Sequence, residues 1–193
     1  MDIVDVHRRA VEAWQMKVDA VRADMWANAT PCTEWSVRDL TNHVVAEELW
    51  MVPLVQGSTI AEVGDRFDGD MVGDDPAGAA RSASAAALAV AQEQLPAGGK
   101  VHLSHGEEDA AEYAWQLVAD HLIHGWDLAK GTGQDTTMDP ALVTAIAGWF
   151  ATREELYREA GAIGPRAPLT GDPQTDLLAV FGRRADWTSP EPA

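Results

Sequence analysis

The segment from about Glu107 to Lys130 constrains the fold more than any other part of the sequence. Its apolar and aromatic side chains recur at helical spacing along two stripes: Tyr113, Leu117, His121, His124 and Leu128 on one, and Trp115, Leu122, Trp126 and Ala129 on the other. A helix that is apolar on two sides packs against neighbours on both of them. Acidic residues at its start and a lysine at its end suit the helix dipole. The sequence therefore predicts a bundle of helices with this one at its centre.

Start and stop signals place the other helices around it. Ser36 followed by Asp39 resembles a capping box. Three Asp-Pro pairs combine an N-cap residue with a proline in the first turn. Pro53 is expected to kink or end the second helix. The predicted helices span residues 3–27, 36–53, 76–95, 107–130, 140–161 and 173–181.

Residues 100–105 are the one short stretch predicted to be extended. The predicted fold class is therefore all-α, with an additional short C-terminal helix. We expect a single domain over residues 1–193, in which segment 162–193 is a C-terminal extension packed on the bundle.

Charge and composition exclude several classes of function. The net charge of -17 argues against a nucleic-acid partner and against anionic membranes, because both need a basic surface. There is no basic and apolar leader at the N-terminus and no run of roughly 18 apolar residues. One cysteine, Cys32, permits no intrachain disulfide. We expect a soluble cytoplasmic protein, and its eight tryptophans leave enough apolar surface for a homodimer.

Asp120 and His124 are the best candidates for a metal site. They lie four residues apart, so one helical face carries both side chains. An ionised carboxylate in an apolar stretch is costly unless it is paired or coordinated. His43, in a similar setting on the second predicted helix, is the best third ligand. Two imidazoles and a carboxylate suit Zn²⁺ first, while Ni²⁺, Mn²⁺ and Fe²⁺ accept the same donors.

Three segments resemble the mycothiol-dependent maleylpyruvate isomerase N-terminal-domain family. They are Thr30–Leu40 followed by His43, Asp120–Ala129 followed by Thr132-Gly133, and Leu177–Arg183, which resembles the end of uncharacterised actinobacterial members. The similarity extends over nearly the whole chain. This family belongs to the DinB-like metal-binding four-helix bundles, so the resemblance implies that fold.

The resemblance also places the family's metal ligands on His43, Asp120 and His124. The characterised isomerase type has a glutamate at the position of Asp120, so the charge is kept and the reach is shorter. No stretch after residue 161 is long enough for the isomerase's further C-terminal domain. Isomerisation of maleylpyruvate itself is therefore not expected.

Other polar residues near these ligands have alternative roles. Glu47 lies one turn from His43 and is a further ligand, a base that shuttles protons, or a solvated side chain. His121 is a weaker catalytic candidate, with a structural role as the alternative. Cys32 is either a packing residue or a thiol activated by the nearby helix start. Asp127 is expected to orient neighbouring groups.

Arg183 and Arg184 either form a solvated tail or receive an anionic substrate. The preferred function is a metal-dependent transferase or isomerase that acts on a small molecule, with mycothiol as a candidate cosubstrate. The alternatives are a non-catalytic protein that binds a metal or small ligand, and a structural helical protein with a vestigial polar triad.

Overall fold

The computed structural model describes residues 2–189, which are mostly helical with one small two-stranded sheet. The helices are α1 (Ile3–Asp19), α2 (Val37–Val55), α3 (Ile60–Val63), α4 (Pro76–Gln94), α5 (Ala110–Thr132), α6 (Pro140–Phe150), α7 (Glu154–Glu159) and α8 (Pro173–Val180), with a 3-10 turn at Leu95–Ala97. The strands are β1 (Lys100–Leu103) and β2 (Gly106–Asp109). The prediction of a mostly helical fold is thus confirmed, with the small sheet as an addition. Residue 1 and residues 190–193 of the predicted domain lie outside the described residues.

Four long helices pack around one another and carry most of the core. Helix α5 packs on α1 and α2, and α4 packs on the same two helices from the opposite side. Most of α5 is buried, from Ala110 to Thr132. Its two apolar stripes therefore predicted its central position correctly.

The local start signals act as the sequence predicts. The Ser36 hydroxyl accepts a hydrogen bond from the Asp39 backbone N–H, and the Asp39 carboxylate accepts one from the Ser36 N–H. Asp75, Asp139 and Asp172 each accept a backbone N–H in the first turn of their helices. These caps satisfy donors that no helical carbonyl can reach.

Two helix boundaries differ from the prediction near the central helix. The acidic residues 107–109, predicted to start it, belong to β2 and pair with β1, so that Glu108 lies opposite Val101. Val101 is fully buried, and the hairpin satisfies backbone groups there that a helix start would leave open. The first helix ends at Asp19 instead of residue 27, and the chain then turns towards α2.

Two further boundaries differ elsewhere in the chain. Helix α2 continues through Pro53 to Val55, so the helix tolerates the one hydrogen bond that the proline cannot donate, and Pro53 does not end it. The predicted helix 140–161 is divided into α6 and α7. At the break, the Arg153 guanidinium donates to the Trp149 carbonyl and replaces a partner that the helix would have supplied.

The C-terminal part packs on the bundle through α8. This helix contacts α6, and Leu177, Leu178 and Phe181 join a core cluster with residues of α1, α5 and α6. Among residues 2–189, every helix is too short or too polar to cross a membrane.

Candidate metal centre

His43, Asp120 and His124 come together between α2 and α5. His43 Nε2 lies 3.2 Å from Asp120 Oδ2, and His124 Nε2 lies 3.2 Å from Asp120 Oδ1. One potential ligand atom from each residue lies within 4.8 Å of those of the other two. The helical spacing of Asp120 and His124 brings this pair onto one face, and the packing of α2 on α5 brings His43 to it.

The donor set of this cluster fits a divalent cation. Asp120 Oδ2 is buried and makes no hydrogen bond of good geometry to any residue from 2 to 189. A buried carboxylate oxygen in that condition calls for a cation or an ordered water. With two imidazole nitrogens facing the same carboxylate, the cluster offers the donors that Zn²⁺ takes in proteins.

In this cluster the carboxylate and the imidazoles each stabilise the charged form of the other. Burial would raise the pKa of Asp120, but the two imidazoles beside it hold that pKa well below its usual range. Burial would lower the pKa of His124, but Asp120 and Asp127 outweigh it and raise the pKa to about 9. Without a metal, this pocket therefore favours a proton on His124, and a divalent cation would take over its electrostatic role.

A second carboxylate orients His124 from behind. Asp127 is fully buried, and His124 Nδ1 lies 3.0 Å from its Oδ2. Arg183 donates to both oxygens of Asp127, with an Nη2–Oδ2 distance of 2.8 Å. A carboxylate that holds the far nitrogen of a ligand histidine is the common outer support of metal sites. Arg183 therefore binds the carboxylate of Asp127, whereas Arg184 is exposed and pairs with Asp186.

The loop that precedes α2 forms one wall of the site. The Trp35 ring lies 4.8 Å from the His43 ring and 5.8 Å from the His124 ring, centroid to centroid. Thr30 holds the loop through its backbone N–H and its hydroxyl, which both donate to the Trp35 carbonyl. Glu34, just before Trp35, has a φ of 72°, which is rare for a residue with a side chain. No sequence signal indicated that Trp35 turns back onto the two histidines.

Cys32 lies on the same loop and also lines the cavity. Its sulfur, His124 and Asp127 offer a second group of potential ligand atoms within 4.8 Å of one another. The Asp127 oxygens are already engaged by Arg183, so this group is less suited to a metal than the first. Burial raises the pKa of the Cys32 thiol, and Arg183 only partly opposes it. Of the two roles that the sequence allows for Cys32, this environment favours packing over an activated thiol.

The cluster opens into a cavity of about 350 Å³. Glu47 lies on its wall, where burial and then the charge of Asp120 raise its pKa. A carboxyl group with a raised pKa is suited to take up and return a proton near neutral pH. The remaining lining is mixed apolar and polar and includes Tyr113, Gln116, Leu117, Ile123, Trp149, Tyr157 and Phe181.

The structure does not bring His121, the weaker catalytic candidate, to this cavity. It follows Asp120 by about 100° around the helix, so its ring points into the core. There, His121 Nε2 lies 2.9 Å from Glu48 Oε1, and Nδ1 lies 2.6 Å from the Leu117 carbonyl. The geometry therefore favours a structural role for His121 over a catalytic one.

Comparisons with known proteins agree with the resemblance. A family model described as the mycothiol maleylpyruvate isomerase N-terminal domain matches residues 7–129, which include His43, Asp120 and His124. Two uncharacterised proteins of Mycobacterium tuberculosis, from strains CDC 1551 / Oshkosh and ATCC 25618 / H37Rv, are each 32% identical over 197 residues. The alignments cover 94% of this chain and 97% of each relative. No solved structure matches significantly.

Proposed function

Since the chain belongs to the mycothiol maleylpyruvate isomerase N-terminal-domain family, we propose that it is a DinB-like four-helix-bundle protein with one divalent metal bound by His43, Asp120 and His124. We propose further that this centre serves a thiol-dependent transferase or isomerase reaction on a small molecule. The observation that carries the proposal is the convergence of three ligand groups around a buried carboxylate oxygen without a hydrogen-bond partner.

The ligand set favours a catalytic centre over a structural one. Structural zinc sites are closed by four protein ligands, whereas catalytic sites use three and keep a position open. His43, Asp120 and His124 supply three, and they face a cavity. Zn²⁺ is the first choice, and Ni²⁺, Mn²⁺ or Fe²⁺ can take the same donors.

The bound metal would supply a Lewis acid that polarises a carbonyl or lowers the pKa of a thiol. Glu47 accepts and returns a proton at its carboxyl group, which burial and Asp120 prepare by raising its pKa. Asp127 and Arg183 hold the His124 ring in one orientation. Trp35 packs against both imidazoles and limits the positions that their rings can take.

The cavity volume and the family description support a small molecule as the substrate. A volume of about 350 Å³ is at the lower end of what small-molecule sites have. Mycothiol is the candidate cosubstrate because the family is named for it. A cytoplasmic location and an absence of nucleic-acid partners also belong to the proposal, the latter because of the net charge of -17.

Metal content is the first test. Protein purified without chelator should contain one divalent metal ion per chain, as measured by inductively coupled plasma mass spectrometry. His124→Ala should lower the affinity for Zn²⁺ by more than the ~10–100-fold that loss of an outer support costs. His102→Ala is the matched control, since His102 lies on β1 outside the cavity, and it should bind as the native chain does. A chain without metal, or equal affinity in both variants, contradicts the proposal.

Thiol consumption separates an enzyme from a binding protein. The metal-loaded protein is mixed with mycothiol and a panel of small electrophiles, and the free thiol is followed over time. Turnover that Glu47→Gln slows while metal content stays constant supports catalysis. Stoichiometric metal without turnover supports the non-catalytic alternative.

A further inference from the structure

Two pairs of neighbouring residues face in different directions where α2 meets α5. Glu47 and Asp120 line the metal cavity. Glu48 and His121, the next residue on each helix, point into the core, where both side chains are fully buried. The two helices are therefore linked twice, once through the metal cluster and once through a buried hydrogen bond.

The hydrogen bond between His121 and Glu48 follows from what the other ring nitrogen of His121 contacts. The Leu117 carbonyl can only accept, so His121 Nδ1 donates to it over 2.6 Å. His121 Nε2 then meets Glu48 Oε1 at 2.9 Å, and one proton lies between them whichever of the two carries it. The Ser84 hydroxyl on α4 donates to the same oxygen over 2.8 Å. Three helices thus converge on one carboxylate.

Such a pair contributes little to stability compared with apolar side chains of the same size. Replacement of a buried polar pair by well-packed hydrophobic residues is often neutral or stabilising. What the apolar replacement lacks is direction, because dispersion contacts tolerate a rotated helix and a hydrogen bond does not. The geometry therefore offers a role for the pair in orientation.

Rotation of either helix would displace the metal ligands. A turn of α5 by about 25° moves each Cα by about 1 Å, given a helix radius of ~2.3 Å. Metal–ligand distances tolerate only about 0.2 Å. Asp120 and His121 are consecutive residues of α5 and move together when the helix rotates. A rotation that breaks the hydrogen bond between His121 and Glu48 therefore also moves Asp120 away from His43.

We propose that the Glu48–His121 hydrogen bond positions the metal ligands by setting the rotation of α2 against α5. Glu48 and His121 are positioning residues that never touch metal or substrate. This inference rests on the proposed metal-binding function and adds to it a determinant of affinity outside the cavity.

The test replaces the pair and measures both folding and metal binding. The Glu48→Leu/His121→Leu variant should unfold cooperatively in urea, yet bind Zn²⁺ some ~10–100-fold more weakly, as loss of outer support does elsewhere. Glu48→Gln keeps one hydrogen bond, from its amide to His121 Nε2, and should stay within about threefold of the native affinity. If the leucine pair does not fold, Glu48→Met/His121→Met serves instead, because methionine adapts to irregular space.

Ser84→Ala is the control, because it removes a hydrogen bond to the same carboxylate without touching the link between α2 and α5. Its affinity should equal that of the native chain. Native affinity in the folded double variant, or equal losses in the double variant and in Glu48→Gln, overturns the positioning role.

A crystal structure of the double variant gives a readout without metal: the distance between His43 Nε2 and Asp120 should exceed 3.2 Å, and an unchanged distance overturns the inference. If the native chain binds no metal, the proposed function is wrong. The distance between His43 Nε2 and Asp120 in the double variant then still shows whether Glu48 and His121 position these side chains.

Discussion

Among single residues, His7 differs most from what its sequence neighbours suggest. Its charged neighbours predict an exposed position, yet its side chain is fully buried on α1. Neither ring nitrogen has a hydrogen-bond partner among residues 2–189. Its ring centroid lies 6.0 Å from that of His121. His7 is buried because the face of α1 that packs on α5 includes this position, which the charged neighbours in the sequence do not reveal.

The burial of His7 predicts a specific dependence of stability on pH. Burial, and then His121, lower its pKa from 6.5 to about 3. Below pH 6.5 the unfolded chain takes up a proton that the native chain refuses until about pH 3, so stability is lost as pH falls through this window. Between pH 7 and pH 5 the loss from this one group should be about 2 kcal/mol.

Urea unfolding of His7→Leu at these two pH values measures that contribution. The native chain should lose about 2 kcal/mol more than the variant over the interval. His105→Leu is the control, since His105 is exposed on the turn of the hairpin, and it should lose as much as the native chain. Equal losses in His7→Leu and the native chain would show that His7 is not buried as a neutral group.

At the scale of elements, the loop over residues 29–36 is as important to the site as the helices. It carries Cys32 and Trp35 to the cavity, and α5 holds it in place at Gly131. The Asn28 side-chain amide donates to the Gly131 carbonyl over 2.9 Å. A Cβ at Gly131 would lie 2.8 Å from the Ala29 carbonyl oxygen, closer than real contacts permit. The C-terminal end of the central helix thus needs a glycine for the loop to dock.

Gly131→Ala should therefore displace the loop and destabilise the chain by about 1–3 kcal/mol, as overpacking does in cores. Urea unfolding measures the loss, and Zn²⁺ titration should show weaker binding because Trp35 no longer covers the imidazoles. Gly148→Ala on α6 is the matched change, because nothing lies within 4 Å of the added Cβ. It should stabilise the chain by up to about 1 kcal/mol, through helix propensity. Similar effects of the two changes would contradict the docking role of Gly131.

In the whole molecule, the candidate metal ligands and the side chains that contact them come from distant parts of the chain. α2 brings His43, α5 brings Asp120, His124 and Asp127, and Arg183 arrives from the segment after α8. The last of these lies 56 residues from its partner. A cation bound by the cluster would therefore stabilise the native state as a whole, since the unfolded chain cannot assemble these ligands.

Thermal unfolding with and without Zn²⁺ tests this linkage. Free metal at 100 times its dissociation constant should add about 2.7 kcal/mol to the free energy of unfolding. For a chain of this size that raises Tm by roughly 5–11 °C. Mg²⁺ should raise Tm far less, because it prefers oxygen ligands and keeps its waters. At the same Zn²⁺ concentration His124→Ala should show a far smaller rise, and a rise equal to that of the native chain would place the metal elsewhere.

The sequence by itself determined the features that depend on one or two helical turns. The caps at Ser36, Asp75, Asp139 and Asp172 are such features, because their partners lie within three residues. The shared face of Asp120 and His124 follows from four-residue spacing alone. The two stripes of α5 predicted its central position for the same reason. All of these follow from helix geometry and do not depend on how the chain folds back on itself.

Only the tertiary structure decided which side chains meet across elements. Local spacing does not fix the rotation of one helix against another, and that rotation separates Asp120 from His121 and Glu47 from Glu48. It places one of each pair in the cavity and the other in the core. The hairpin at residues 100–109 and the return of Trp35 onto the two histidines likewise depend on partners far along the chain. The candidate ligands could thus be named from the sequence, whereas the contacts that Trp35, Glu48 and Arg183 make required the fold.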